Sequence, residues 1–208
     1  MLTGHWESVM AGRCRELQTA DGHVRRLPVA RWHGRDRADD TLIRTVAEWC
    51  TGPTVELGCG PGRFVAHLLR RQVPALGIDD APTAIRLTRD RGAAAVQRDV
   101  FAPLPGEGRW SHVVLLDGNV GIGGDPGRLV RRALELIEPK GTIMVEVEPA
   151  VRGVLREAVR LNVAGGATEW FPWARVGADG IGALAHEARL RIVRRIESGG
   201  RMCVELAR

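Results

Sequence analysis

Val55-Glu56-Leu57-Gly58-Cys59-Gly60-Pro61-Gly62 reads as the end of a buried strand, a carboxylate on it, and a turn with three alternate glycines. Phe64, Val65, Leu68 and Leu69 follow at helical spacing, so the unit is strand, glycine turn, helix. That order describes a cofactor loop, because residues without Cβ let the backbone approach a ligand and reach positive φ without strain. A dinucleotide fingerprint needs a third glycine where this chain has Arg63, which argues against a nicotinamide-dependent dehydrogenase.

Outward from the loop, short β-branched or apolar runs alternate with helical patterns, as in a parallel sheet covered by helices. Strands are predicted at Thr54 to Leu57, Ala75 to Asp79, Ala94 to Gln97, His112 to Leu116 and Thr142 to Val147. Pro82 suits the first turn of one helix. Leu129, Val130, Leu134 and Ile137 mark another, expected to end at Pro139-Lys140-Gly141. The chain closes with Leu190 to Ile196, a Ser198-Gly199-Gly200 turn and Met202 to Leu206, which is a hairpin and not another strand-helix unit. Two segments fall outside this pattern. Residues 1–50 carry an amphipathic stretch, a possible hairpin around Ala20-Asp21-Gly22 and a helix near Thr41 to Trp49; residues 158–176 carry a second hairpin at Gly165-Gly166. The division expected is an N-terminal cap over 1–50 and a cofactor-binding domain over 51–208, with 158–176 as an inserted lid.

The E-x-G-x-G-x-G stretch resembles motif I of the class I S-adenosylmethionine (SAM) methyltransferases, and the resemblance extends over roughly residues 53–208. It implies a seven-stranded, mostly parallel Rossmann-like α/β sheet with a terminal antiparallel hairpin. It also implies SAM as methyl donor and S-adenosylhomocysteine as product; no metal is expected. Glu56, Gly58, Cys59, Gly60 and Gly62 would then lie along the methionine end of SAM, whose ammonium and sulfonium suit a carboxylate. Asp79 matches the ribose-binding acid, although Asp80 stands where the family has an apolar residue. Asp99 and Val100 match the adenine-binding pair. Asp117-Gly118-Asn119-Val120 replaces the [DN]-P-P-[FY] of adenine and glutamine N-methyltransferases, which argues against those substrates; Asp117 and Gly118 would border the cofactor. Asp117 and Asn119 could carry catalysis, or a divalent cation as in catechol-type enzymes, but only Glu146 and Glu148 are available to complete such a set.

In-line methyl transfer needs a base only when the nucleophile is a hydroxyl or a protonated amine. Of His5, His23, His33 and His186, His33 has the best case because it adjoins Trp32. Trp32, Asn119, Trp170 and Trp173 are the candidate acceptor-binding residues, within a chain of six tryptophans and no tyrosine. The function expected is methyl transfer to O or N of a small-molecule metabolite; the alternatives are RNA or protein methylation, or a SAM-binding module without turnover.

Composition sets the bounds. The 208 residues, 44% hydrophobic and 26% charged, suit one globular domain, and no apolar run approaches the roughly 20 residues of a membrane span. The net charge of +5 is spread along the chain and carried almost wholly by arginine, Lys140 being the one lysine, so a phosphate track is not indicated. Scattered Cys14, Cys50, Cys59 and Cys203 suggest reduced thiols. With no signal-peptide pattern at the N-terminus, a cytoplasmic monomer or homodimer is expected.

Overall fold

The computed structural model describes residues 5–34 and 40–208; the remaining residues of the expected cap, 1–4 and 35–39, lie outside the described residues. The N-terminal part holds α1 (Glu7–Met10), β1 (Glu16–Thr19), β2 (Val24–Arg26), α2 (Val29–Trp32) and α3 (Asp40–Trp49). The main domain then alternates β3 (Thr54–Leu57), α4 (Arg63–Arg70), β4 (Ala75–Asp79), α5 (Pro82–Asp90), β5 (Ala95–Gln97), β6 (Trp110–Leu115), α6 (Pro126–Leu136) and β7 (Ile137–Val147). After an insertion, β8 (Val154–Val163), β9 (Gly166–Ala167) and β10 (Phe171–Val176), the chain ends with α7 (Ala178–Glu187), β11 (Arg191–Ser198) and β12 (Arg201–Ala207).

Seven strands form the main sheet in the order β11-β12-β7-β6-β3-β4-β5, with β3 to β7 parallel and the terminal hairpin antiparallel. Its central strands are covered on both faces, which is why they read as continuous apolar runs. Val113, Leu115, Ile143 and Val145 face α6 and α7, while Val114, Leu116 and Met144 face α3 and α4. Direction along the sheet reverses between β3 and β6, opening a crevice at the carboxyl ends where doubly wound sheets bind ligands.

One boundary differs from the sequence-based expectation. The helix predicted to run to Pro139 ends at Leu136, and Ile137 is already a strand residue paired with Trp110. Ile137 serves the core from the strand, and Gly141 fits there because a Cβ would lie 2.7 Å from Ile137 Cβ.

The two segments expected to be separate additions share one antiparallel sheet. β1 pairs with β2 on one side and with β8 on the other, at Leu17↔Leu161 and Thr19↔Val159, and β10 lies along the far edge of β8. The inserted strand also starts at Val154 and not at 158. Leu17, Val159, Leu161 and Phe171 project from one face of this sheet onto Val9 and form a core distinct from that of the main domain. The sheet is anchored where the loop after β6 meets β10: Ile122 bridges to Trp173, and a Cβ on Gly121 would fall 1.9 Å from the Ala174 carbonyl oxygen. Among the described residues no helix is long and apolar enough to cross a membrane.

Candidate cofactor and acceptor site

The glycine loop is held from three sides. The amides of Gly58 and Cys59 donate to Ile78 O at 2.8 and 2.9 Å, the Thr88 hydroxyl donates to Gly60 O at 3.0 Å, and Asn119 Nδ2 donates to Gly58 O at 2.6 Å. Gly58, Gly60 and Gly62 have φ of 75°, 52° and 74°, so each uses the left-handed region that a side chain resists. At Gly62 a Cβ would also lie 2.5 Å from Thr88, and at Gly58 2.6 Å from Asn119 Nδ2. Gly62→Ala should therefore lose thermal stability and ligand affinity together; a melting temperature within about 1 °C of wild type would show that the loop tolerates the change.

Asp79, at the end of β4, is buried. Its Oδ2 accepts from Gly60 N at 2.8 Å and its Oδ1 from Ala81 N at 3.0 Å, so it ties the loop to the start of α5. Burial pushes its carboxyl up to about 6. Glu56, at the end of β3, is more extreme: only 5% exposed, with Oε2 buried and unbonded among the described residues. Burial and then the charge of Asp117 push this carboxyl well above the usual range. Asp99 Oδ1 accepts from Phe101 N at 2.9 Å, closing the turn after β5.

These residues line one cavity of about 1040 Å³, counted with its open mouth, which is ample for a cofactor and a small acceptor together. The main domain supplies its floor through Glu56, the loop, Asp79, Asp80, Asp99, Val100, Asp117 and Asn119. Trp6, Met10 and Trp32 from the cap, and Phe171, Pro172 and Trp173 from β10, supply an aromatic roof. Trp6 sits at its centre, edge-on to Trp173 at 5.2 Å, Trp32 at 5.9 Å and Phe171 at 6.1 Å.

Between floor and roof lies a charge cluster. Asp117, at φ 54°, accepts from Arg201 Nη2 at 3.0 Å on Oδ1 and from Arg63 Nη2 at 3.2 Å on Oδ2, and Arg31 Nε lies 3.2 Å from Oδ1 as an ion pair without hydrogen-bond geometry. Arg201 also forks onto Glu146 at 2.7 and 2.5 Å, and the Asp117 amide donates to Glu146 Oε2 at 2.5 Å. Burial, followed by the charge of Asp117, pushes the Glu146 carboxyl upward. Arg63, which displaces the third glycine of a dinucleotide loop, is thus one of three guanidiniums around Asp117 among the described residues. Such surroundings disfavour a divalent cation there, and Glu148 is turned away onto Arg175.

Of the residues singled out from sequence, Glu56, Gly58, Cys59, Gly60, Asp79, Asp80, Asp99, Val100, Asp117, Asn119, Trp32 and Trp173 meet at this cavity. Gly62 and Gly118 shape the backbone behind it, with φ of 74° and 83°. His33 and Trp170 do not line it. His33 follows α2 as its C-terminal cap, with its carbonyl on Arg91 Nη2, while Trp170 lies outside β10 at 45% exposure under the Arg160 guanidinium. Asn119 is drawn into holding the loop. Sequence reasoning passed over Trp6 and Met10 as ligand-facing residues, although their spacing with Val9 marked an amphipathic turn, and preferred His33 to His5, although it is His5 that lines the cavity.

No family model and no curated protein matches this sequence. Solved structures do match the fold. A SAM-dependent methyltransferase from Bacteroides fragilis, in complex with S-adenosyl-L-homocysteine, superposes with a TM-score of 0.81 over 100% of this chain and 97% of that one, at 17% identity. The fold is that of the class I SAM-dependent methyltransferases. Within this methyltransferase fold, CalS10, an amino pentose methyltransferase from Micromonospora echinaspora, has a TM-score of 0.62 over 86% of this chain and 95% of its own, at 17% identity. The 1,6-didemethyltoxoflavin-N1-methyltransferase from Burkholderia thailandensis has a TM-score of 0.59 over 86% and 84%, at 19% identity.

Proposed function

We propose that this protein transfers a methyl group from SAM to an oxygen or nitrogen of a small-molecule acceptor. The observation that carries the reading is the buried, unbonded carboxylate oxygen of Glu56 on the floor of a cavity that ends in aromatic side chains. A buried carboxylate oxygen without a hydrogen-bond partner among the described residues is costly, and a cationic ligand group relieves the cost. SAM, when bound, supplies an electrophilic methyl on a sulfonium, together with an ammonium that suits Glu56. Asp79 is the group for the ribose hydroxyls, and Asp99 with the Val100 amide for adenine.

The chain's own part in the reaction is positional. The glycine loop sets the donor end, the roof of Trp6, Trp32 and Trp173 presses the acceptor toward it, and closure excludes water. Alignment of this kind contributes about 7–11 kcal/mol in favourable cases. An enclosed aromatic roof suits a small acceptor better than a nucleic acid or protein, and two fold neighbours are named for small molecules, an amino pentose and 1,6-didemethyltoxoflavin.

Calorimetry with SAM, S-adenosylhomocysteine and NAD tests the cofactor, with binding of the first two and not the third expected. Release of S-adenosylhomocysteine across a panel of metabolites tests transfer. In that assay Trp173→Ala should raise the acceptor KM about tenfold or more and leave the SAM Kd within about twofold. Acceptor kinetics that do not move would remove Trp173 from the acceptor wall.

A further inference from the structure

We propose that the acceptor is a planar aromatic hydroxyl compound and that His5 is the base that takes its proton. The inference rests on the methyltransferase reading above. His5 is the one histidine on the cavity wall among the described residues; its ring lies flat on Phe171, with centroids 4.4 Å apart and planes 10° from parallel. Stacking of this kind fixes the imidazole plane and leaves the nitrogen edge open to a neighbour. Of the other polar groups at this end, Asp117 is held by guanidiniums and Asn119 by the loop carbonyls, while the buried Trp32 indole N–H has no partner among the described residues and offers one donor to a single acceptor oxygen.

That inventory selects the acceptor. A sugar would bury several hydroxyls against Trp6, Phe171 and Trp173 with few partners, and each unpaired one is costly. A protonated amine would enter beside a sulfonium at an end whose carboxylate is spoken for. A flat arene can lie against this aromatic cluster, and its hydroxyl, near the pKa of about 10 of a phenol, is within reach of an imidazole base, whereas an aliphatic hydroxyl is not. In the step, the hydroxyl proton passes to the imidazole as the O–CH3 bond forms. The S–CH3 bond of SAM breaks with its electron pair returning to sulfur, and the imidazolium then loses the proton to solvent.

The test compares wild type, His5→Phe, His5→Gln and His5→Gly on two probe sets, hydroxyarenes (2-naphthol and 8-hydroxyquinoline) and amino sugars. Wild type should methylate the hydroxyarenes, and all three variants should lose about 10²- to 10⁴-fold in kcat/KM. Added imidazole should restore part of the rate to His5→Gly. His5→Phe keeps the stack, so 2-naphthol should quench its tryptophan fluorescence in the S-adenosylhomocysteine complex with a Kd within about twofold of wild type. Full activity of His5→Phe would make His5 a packing residue and overturn the proposal, as would methylation of amino sugars with no hydroxyarene turned over. SAM binding without transfer to either set overturns it too while leaving the cofactor assignment standing; absence of SAM binding removes both.

Discussion

Glu56→Gln should weaken SAM binding by about 10- to 100-fold and at the same time raise the melting temperature of the ligand-free protein above neutral pH. The affinity loss follows from a hydrogen bond between charged groups, worth about 1.5–3 kcal/mol, becoming one to a neutral amide. The stability gain has a different origin. Glu56 is a carboxylic acid whose folded-state pKa burial has raised well above its unfolded value. The folded state therefore binds the proton more tightly, and stability falls as pH rises from the unfolded pKa, near 4.3, through the folded one. Glutamine carries no such liability, so the two melting curves should converge below about pH 4 and separate above it. For the wild type the same reasoning makes SAM affinity rise with pH over this range, with a proton released on binding. Calorimetry in buffers of different ionisation enthalpy measures that proton; no release, with unchanged affinity in Glu56→Gln, would take Glu56 out of the cofactor site.

Arg201→Ala should cost about 3–5 kcal/mol of stability, because it strips the fork from Glu146 and one of three guanidiniums from Asp117 in a buried cluster. In a chain of this size that is a fall of roughly 6–20 °C in melting temperature. Without Arg201, only the Asp117 amide and the charges of Arg31 and Arg63 act against burial and the charge of Asp117, so Glu146 takes up a proton more readily in the folded state. An acid with a raised folded pKa destabilises progressively as pH climbs from its unfolded value, so the deficit against wild type should be smallest near pH 4 and largest in alkali. The double variant Arg201→Met with Glu146→Met should recover most of the loss, since apolar side chains of similar volume remove both buried charges. Melting of the single variant within 2 °C of wild type would mean that the terminal hairpin is held by packing alone.

The comparison of sequence and structure turns on the range of the contacts involved. Glycine spacing at Gly58, Gly60 and Gly62 marks a conformation that local backbone sterics require, and each has the positive φ that the pattern implies. Strand limits at Thr54 and Asp79 follow from runs of apolar residues covered on both faces, a property of the residues themselves. Ile137 reads as helix from its spacing with Leu134 and becomes a strand residue because Trp110, far away in sequence, pairs with it.

The loop, the succession of strands along the chain and the closing hairpin were determined by the sequence alone, because glycine conformation, alternation and turn chemistry act over a few residues. Only the tertiary structure decided what the loop faces. Leu17 against Leu161 joins two distant segments into one roof, three arginines from separate elements converge on Asp117, and the histidine brought to the cavity is His5 while His33 is left outside it. Pairing across more than a hundred residues leaves no periodic trace in either partner, and which side chain enters a shared cavity depends on the strand that lands opposite.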